Sequence, residues 1–166
     1  MHYQRLSELI QELKHRKEEG QKIVFTNGVF DILHLGHVSY LEEARKLGDF
    51  LVVGINDDAS VRLLNKGPER PIHDERARAE VLASLRCVDA TIIFSENTPA
   101  TIIEAIQPNV LVKGGDYDAD ETNETSKKYI VGSKETRQRG GKVICIPLVA
   151  GYSTTIAVQK INENKG

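Results

Sequence analysis

Residues 26–37 read TNGVFDILHLGH, and this stretch decides the fold. It follows a short apolar run, turns at a glycine and opens a helical pattern, which predicts a strand, a tight turn and a helix start in succession. Further short apolar runs alternate with helical patterns along the chain. This alternation predicts an α/β fold with a Rossmann-like, doubly wound parallel sheet and helices on both faces. The five predicted strands are Lys22–Thr26, Phe50–Ile55, Ala90–Phe94, Val110–Lys113 and Lys142–Ile146.

Helical periodicity predicts the elements between these strands. Leu6, Leu9 and Leu13 recur at helical spacing, so an accessory helix near residues 4–19 precedes the first strand and packs on the outside of the domain. Because ligands bind beyond the carboxyl ends of the strands in open parallel sheets, the loops after the strands are the candidate functional segments. The other predicted helices are Gly36–Leu47, Asp58–Leu64, Asp74–Ser84, Pro99–Ile106, Tyr129–Arg139 and Thr154–Asn164.

Length and composition indicate a single domain that spans residues 1–166. The chain is 40% hydrophobic and 28% charged, and its formal net charge of −2 gives no cationic field for binding nucleic acid. The two cysteines, Cys87 and Cys145, are too few for a disulfide framework and are typical of a cytoplasmic protein. Residues 1–20 mix charges among their leucines, so we expect neither a signal peptide nor a membrane partner.

The second predicted helix begins with two histidines three positions apart. His34 and His37 therefore project from one side of a helix start, where free backbone N–H groups and the helix dipole favour an anion. Gly36 lets a phosphate approach the helix end closely, and Gly28 allows the tight turn out of the strand. This arrangement predicts phosphate binding. Histidines that only cap or line the helix are the alternative, and zinc is disfavoured because His-x-x-His is not the helical i, i+4 metal pair.

The form T-x-G-x-F-D-x-x-H-x-G-H in residues 26–37 resembles the signature of the cytidylyltransferase-like nucleotidyltransferases, and the resemblance covers nearly the entire chain after residue 20. Residues 67–71, 113–117 and 151–155 are most similar to the family's adenylyltransferase domain that acts on heptose 1-phosphate and makes ADP-activated heptose for bacterial surface polysaccharide. In many bacteria that domain follows a sugar kinase, so we expect the kinase here to be a separate protein. Leu148 stands where related glycerol phosphate cytidylyltransferases carry an arginine, which favours ATP over CTP.

The resemblance implies a role for each motif residue. His34, His37 and Lys66 are the catalytic residues, of which the histidines stabilise the α-phosphoryl group and Lys66 reaches the triphosphate or the sugar phosphate. Asp31 and Asp116 bind the sugar hydroxyls or a metal-bound water, although Asp31 alternatively caps the turn before His34. The expected cofactor is Mg²⁺ that arrives with ATP, and no protein metal ligand is predicted. The predicted nucleotide-binding residues are Thr26, Asn27, Gly28, Val29, Phe30, Gly36, Lys113, Gly115, Ser153, Thr154 and Thr155.

Several alternatives stay open at the level of sequence. Ser153–Thr155 cap the last helix as readily as they hold phosphates, and Lys66 is alternatively a solvated loop lysine. Arg70 and Arg76 carry no specific signal, since arginines near helix starts often form surface ion pairs. The main competing activity is CTP-dependent transfer to glycerol 3-phosphate or another polyol phosphate, followed by adenylyl transfer to a flavin or pantetheine phosphate. A non-catalytic nucleotide-binding module is the alternative of another class, and the resemblance also implies a homodimer or larger homo-oligomer.

Overall fold

The computed structural model of the chain describes residues 1–64, 70–115 and 117–163, apart from the side chains of residues 162 and 163. Its strands are β1 (His2–Tyr3), β2 (Ile23–Gly28), β3 (Phe50–Asn56), β4 (Ala90–Phe94), β5 (Val110–Gly114) and β6 (Lys142–Ile146). They form one sheet in the order β1-β4-β3-β2-β5-β6, and every neighbouring pair is parallel. The doubly wound parallel α/β fold predicted from the sequence is therefore confirmed.

The sheet has one more strand than the five predicted. His2 and Tyr3 pair with Thr91 and Ile92 of β4, and the backbone N–H of Thr91 donates to the carbonyl of Met1 at 2.9 Å. A strand of two residues is too short to show the alternation of apolar and polar positions by which strands are recognised in a sequence. The count of five is corrected to six for this reason.

The helices of the described residues are α1 (Leu6–Glu18), α2 (Leu35–Arg45), α3 (Asp58–Leu63), α4 (Glu75–Ala83), α5 (Ala100–Ile106), α6 (Ser133–Gln138) and α7 (Thr154–Glu163). Most of their bounds lie within one or two residues of the predicted ones. Helix α6 is the exception, because it was expected to begin at Tyr129 and begins at Ser133. Gly132, which precedes it, has a φ of 84°, a left-handed conformation that a right-handed helix cannot contain. In the part of the chain described here, no helix has the length and apolar character needed to cross a membrane.

Apolar side chains alternate along the central strands and form a core on each face of the sheet. On one face, Phe25 and Val52 pack with residues of α1 and α5. On the other face, Val24 and Leu51 pack with residues of α2 and α4. All four of these strand residues have 0% exposure. The strands are thus held firmly between two layers of helices, and the loops that follow them carry the functional side chains.

Helix α1 packs against one face of the sheet, with its apolar side in the core and its polar side exposed. Leu9 and Leu13 are 0% and 1% exposed and belong to the same apolar cluster as Ile106 of α5. Lys17 donates from Nζ to the carbonyls of Ile106 and Gln107, at 2.7 and 2.9 Å. An amphipathic helix that packs on the outside of a sheet buries its apolar face in this way.

The strand order reverses between β2 and β5, and this reversal creates a place for a ligand. Strands β3, β4 and β1 lie on one side of β2, whereas β5 and β6 lie on the other. The loops that leave β2 and β5 therefore diverge and leave a crevice beyond the carboxyl ends of the strands. Asn27 of β2 and Lys113 of β5 both line it.

Candidate active site

Two histidine rings lie against each other where α2 begins. His34 immediately precedes the helix with an extended backbone, φ −138° and ψ 171°, and His37 lies in the first turn. Their ring centroids are 3.8 Å apart with an angle of 21° between the planes, so the rings are stacked. The ring of Phe30 meets His37 edge-on at 5.4 Å between centroids. The structure thus brings the two histidines together at the positive end of a helix.

His34 is partly removed from solvent and has an unused ring nitrogen. Burial lowers the pKa of His34, because loss of solvent disfavours the charged ring. The Nδ1 atom of His34 is buried and forms no hydrogen bond with any residue that the structure describes. A phosphate oxygen near the ring would provide a partner and would favour the protonated form.

The turn between β2 and α2 depends on strained non-glycine residues. Phe30 and Ile32 have φ values of 49° and 50°, in the left-handed region that side chains disfavour. Gly28 lies in the extended strand, so the prediction that it makes the tight turn is wrong. A Cβ on Gly28 would lie 3.1 Å from the Phe30 ring, and a Cβ on Gly36 would lie 3.1 Å from the His34 ring. These two glycines leave room for the aromatic rings.

Asp31 is buried under this turn and ties it to a distant segment. Its carboxylate accepts hydrogen bonds from the backbone N–H groups of Ile72 at 2.8 Å and His73 at 3.0 Å, and Arg70 Nε lies 2.8 Å from Oδ2. Burial by itself would raise the pKa of Asp31, but the two backbone hydrogen bonds and the nearby guanidinium charges outweigh burial and lower it. The side chain has 0% exposure. Its predicted contact with substrate is therefore corrected to a positioning role, close to the turn-capping alternative.

Arg78 joins the same turn to the end of β3. Its guanidinium donates to the carbonyls of Val29 at 2.7 Å, Asn56 at 2.8 Å and His73 at 3.0 Å, and to the Asp58 carboxylate at 2.7 Å. Because the Val29 carbonyl points to Arg78, the N–H of the following residue points away from it across the planar peptide bond. The sequence does not predict a buried role for Arg78, since an arginine in a helical pattern is ordinarily solvated.

Lys113 and Asn27 meet across the reversal in strand order. Lys113 Nζ donates to Asn27 Oδ1 at 2.6 Å and to its carbonyl at 3.2 Å, and it lies 5.4 Å from the centre of the Tyr117 ring. Thr26, the neighbour of Asn27, is 0% exposed, and its hydroxyl shares a 2.6 Å hydrogen bond with the Tyr40 hydroxyl. Burial raises the pKa of Tyr40, so this phenol stays protonated. The prediction that Thr26 contacts nucleotide is corrected, because its side chain supports the floor of the cleft instead.

The start of α7 faces the turn that follows β2. Thr154 donates its hydroxyl to the carbonyl of Asp31 at 2.8 Å. The Ser153 Oγ accepts the backbone N–H of Ile156 at 3.1 Å, which is a helix-capping bond. Capping, the alternative left open by the sequence, therefore describes Ser153 in this conformation, whereas Thr155 is exposed.

Small residues allow the last loop to pack closely against the cleft. A Cβ on Gly36 would lie 3.3 Å from the Cβ of Tyr152, so the beginnings of α2 and α7 converge. A Cβ on Gly114 or Gly115 would lie 3.0 Å from the side chain of Leu148. Leu148 is 58% exposed and forms an apolar wall over this pair of glycines.

These residues surround a cleft of about 410 Å³, a volume typical of small-molecule sites. Its lining includes the predicted site residues Asn27, Gly28, Val29, Phe30, Asp31, His37, Lys113 and Thr154. It also includes residues to which the sequence assigned no role, among them Asn56, Arg70, Asn97, Thr98 and Tyr129. The predicted residues Lys66 and Asp116 lie outside the described residues.

The described part of the cleft lacks the side-chain cluster that a protein-bound metal ion needs. Over residues 1–64, 70–115 and 117–163, no three His, Cys, Asp or Glu side chains are grouped so that they would hold a metal. The carboxylate of Asp31 is already engaged by backbone N–H groups and Arg70. This donor set fits a magnesium ion that is held mainly by phosphate oxygens of the nucleotide.

Known proteins resemble this chain in sequence and in fold. A model of the family described as cytidylyltransferase-like matches residues 25–160. The chain is 53% identical over 157 residues to the bifunctional protein HldE of Nitrobacter hamburgensis, covering 95% of the chain and 30% of that protein. It is 50% identical over 149 residues to HldE of Geotalea uraniireducens, covering 90% of the chain and 29% of that protein. The chain thus spans less than a third of the length of these relatives.

Two solved structures resemble this chain in fold. A lipopolysaccharide core biosynthesis protein from Thermoplasma volcanium superposes with a TM-score of 0.59 and 31% identity, covering 78% of this chain and 98% of its own. Pantothenate synthetase from Thermus thermophilus superposes with a TM-score of 0.56 and 18% identity, covering 89% of this chain and 62% of its own. At that identity, the second likeness concerns the fold alone.

Proposed function

Because the chain belongs to the cytidylyltransferase-like family, we propose that it transfers AMP from ATP to D-glycero-D-manno-heptose 1-phosphate, giving ADP-heptose and pyrophosphate. The observation that carries this proposal is that His34 and His37 stack at the start of α2, and that His37 lines a cleft together with Lys113 and Thr154. These are cationic and N–H donors arranged for a polyphosphate. Similarity to part of HldE and to a lipopolysaccharide core biosynthesis protein supports heptose phosphate as the acceptor.

The choice of ATP rests on the wall formed by Leu148. This side chain packs over Gly114 and Gly115 and leaves an apolar surface beside Lys113. An apolar surface of this kind suits the face of a purine, whereas the family resemblance implies an arginine at this place in glycerol phosphate cytidylyltransferases. Cytidylyl transfer to a polyol phosphate is therefore the competing activity that the experiments below are designed to detect.

The reaction is an in-line displacement at the α-phosphorus of ATP. An oxygen of the acceptor phosphate forms the new bond to phosphorus, the bond to the bridging oxygen breaks, and pyrophosphate leaves with that oxygen. The attacking phosphate is already anionic near neutral pH, so no general base is needed. The protein must instead align two polyanions and compensate the charge that develops on the α-phosphoryl group and the leaving group. A magnesium ion bound to the phosphates supplies additional positive charge.

We assign each phosphate group of the substrates to particular residues of the cleft. His34 and His37 donate to the α-phosphoryl and bridging oxygens, and the N–H groups at the start of α2 and at Phe30 add further donors. Lys113, held by Asn27, neutralises charge on the nucleotide. The N–H groups at the start of α7, together with the exposed hydroxyl of Thr155, receive the terminal phosphates. We also assign Lys66 and Asp116 to the substrates, on the strength of the family resemblance.

The proposal extends to the setting in which the protein works. We place the reaction in the cytoplasm, where ATP is available and where the free thiols of Cys87 and Cys145 stay reduced. We further propose a homodimer or larger homo-oligomer, on the strength of the family resemblance. Light scattering coupled to size-exclusion chromatography at several concentrations tests this part, and a monomer at all of them would contradict it.

Pyrophosphate release over a panel of substrates tests the proposed function. The panel combines ATP or CTP with heptose 1-phosphate, glycerol 3-phosphate, FMN or phosphopantetheine, in the presence and absence of Mg²⁺. We expect turnover with ATP and heptose 1-phosphate and dependence on magnesium. Preferential use of CTP would refute the adenylyl assignment, and absence of turnover with every pair would favour a non-catalytic nucleotide-binding module.

A histidine variant tests the mechanism. His37→Ala removes one of the two stacked rings, and loss of one preorganised donor of this kind typically lowers kcat by about a hundredfold or more. His15→Ala is the matched control, because His15 is an exposed residue of α1 outside the cleft. Circular dichroism melting of both variants separates a loss of activity from unfolding. Equal activity of the two variants would remove the histidine pair from the mechanism.

A further inference from the structure

We propose that Arg70 binds the phosphate of the acceptor and that the buried Asp31 holds its guanidinium in place for this purpose. The inference rests on the proposed function, because it assigns one part of the same cleft to the sugar phosphate. Arg70 lines the cleft, and its side chain is only 13% exposed. An arginine with so little exposure is not the solvated surface cation that its place near a helix start suggests.

The Arg70 guanidinium forms an ion pair with the buried carboxylate of Asp31. The Nε atom lies 2.8 Å from Asp31 Oδ2, and the same carboxylate accepts the N–H groups of Ile72 and His73. This contact is an ion pair, since Arg70 Nε is buried and forms no hydrogen bond with any residue in the described ranges. A guanidinium is planar, so its two terminal amino groups lie in one plane, which is the geometry that binds two oxygens of a phosphate.

The cleft has a cation on each side of β2. Lys113 extends from β5 and is held by Asn27 at the end of β2. Arg70 belongs to the opposite side, because Arg78 links the carbonyl of His73 to the carbonyl of Asn56 at the end of β3. The turn that carries the histidines follows Asn27, the partner of Lys113, and contacts Arg70 through Asp31. In-line transfer requires one phosphate on either side of the attacked phosphorus, so two separated cations match the two substrates.

The remaining lining decides which substrate each cation receives. The Lys113 side contains the ring of Tyr117 and the apolar wall of Leu148, which are suited to a nucleotide base. The lining also contains the loop after β4, with the uncharged polar side chains of Asn97 and Thr98. This loop adjoins the end of β3, on the Arg70 side of the sheet. Uncharged hydrogen-bonding groups suit the hydroxyls of a sugar, so the acceptor belongs on the Arg70 side.

Steady-state kinetics of Arg70 variants test the assignment. We expect Arg70→Gln to raise the KM for heptose 1-phosphate by about tenfold to a hundredfold, as for loss of a hydrogen bond to a charged group. The KM for ATP should change by less than about threefold, because the lost contact is to the other substrate. Arg70→Lys should restore part of the loss, since it keeps the charge but not the two-pronged geometry. Arg76→Gln, an exposed neighbour on α4, is the matched control and should leave both KM values unchanged.

The competing source of phosphate is the triphosphate of ATP itself, and the same experiment separates the two. A rise in the KM for ATP that equals or exceeds the rise for the acceptor would overturn the assignment, as would two unchanged KM values in Arg70→Gln. The wild-type panel is measured first. If the wild-type protein uses a different acceptor phosphate, the heptose proposal fails while Arg70 is tested with that acceptor. If Arg70→Gln is unfolded in a melting experiment, Arg70→Lys decides, and an acceptor KM equal to that of the wild type would count against the assignment.

Discussion

A histidine that is held neutral by its surroundings responds to phosphate by taking up a proton. Burial lowers the pKa of His34, and its ring stacks on His37, where two positive charges 3.8 Å apart would repel. We expect the pKa of His34 in the free protein to lie below the ordinary histidine value of 6.5, so that the ring is neutral at pH 7. Binding of ATP should raise it, because the anion favours the imidazolium.

Proton NMR titration of the imidazole C–H signals, without and with ATP, measures this change. Assignment of the signals uses His34→Gln. Adenosine, which has no phosphate, is the matched ligand and should leave the pKa of His34 where it is in the free protein. An ATP-saturated protein in which the ring titrates at the same pH as before would show that the phosphates do not reach His34.

Individual residues show which parts of the candidate site can be predicted from the sequence. The structure places His34 against His37 and places His37 and Lys113 in the lining of the cleft, because a helix start and a strand end fix where their side chains emerge. The motif predicts ligand contacts for Asp31 and Thr26, but both side chains are buried. A sequence motif does not distinguish a residue that contacts substrate from one that supports the site. Arg70 and Arg78 contact residues that are far from them in sequence. A local sequence pattern does not contain these partners, so it does not predict the contacts.

At the scale of elements, helix α1 offers a direct test of its place in the core. Leu13 is 1% exposed and packs in the cluster that includes α5. Leu13→Ala should lower the free energy of unfolding by about 2–5 kcal/mol, the usual range for a buried leucine that leaves a cavity. Urea denaturation followed by circular dichroism measures the change.

Leu63→Ala is the matched control for this helix, since it is the same substitution at a leucine of α3 that is 67% exposed. Its effect should stay within about 0.5 kcal/mol, as is usual for surface positions. Similar losses in the two variants would mean that α1 does not carry a buried face.

The elements that the sequence predicted well are those with long, regular patterns. Strand β3 is buried along its entire length, and its apolar run was recognised almost to the residue. Strand β1 was missed because pairing with β4, rather than any pattern of its own, makes it a strand. The start of α6 was placed too early because Tyr129–Val131 continue a helical pattern, whereas the backbone at Gly132 turns to positive φ.

At the scale of the whole molecule, the reversal in strand order between β2 and β5 gathers segments that are distant in sequence. The turn after β2, the end of β5 and the start of α7 meet through Lys113 with Asn27 and through Thr154 with Asp31. Sequence predicts the parallel sheet and hence the edge at which these loops lie. Sequence does not predict the contacts between these loops. Those contacts depend on the relative positions of the strand ends, which the packing of helices on both faces of the sheet determines.

Hydrogen exchange monitored by mass spectrometry tests whether these segments act as one binding site. We expect ATP with Mg²⁺ to slow exchange together in peptides that cover residues 27–38, 113–115 and 150–156, because one polyphosphate engages all three. Peptides from α1 and α5, which pack on the face of the sheet away from α2, should exchange at the same rate with and without nucleotide. His37→Ala, by weakening the shared ligand, should reduce the protection in all three segments and not only around residue 37. Protection confined to one segment would mean that the nucleotide does not bridge the reversal, and the cleft would then have to be reassigned.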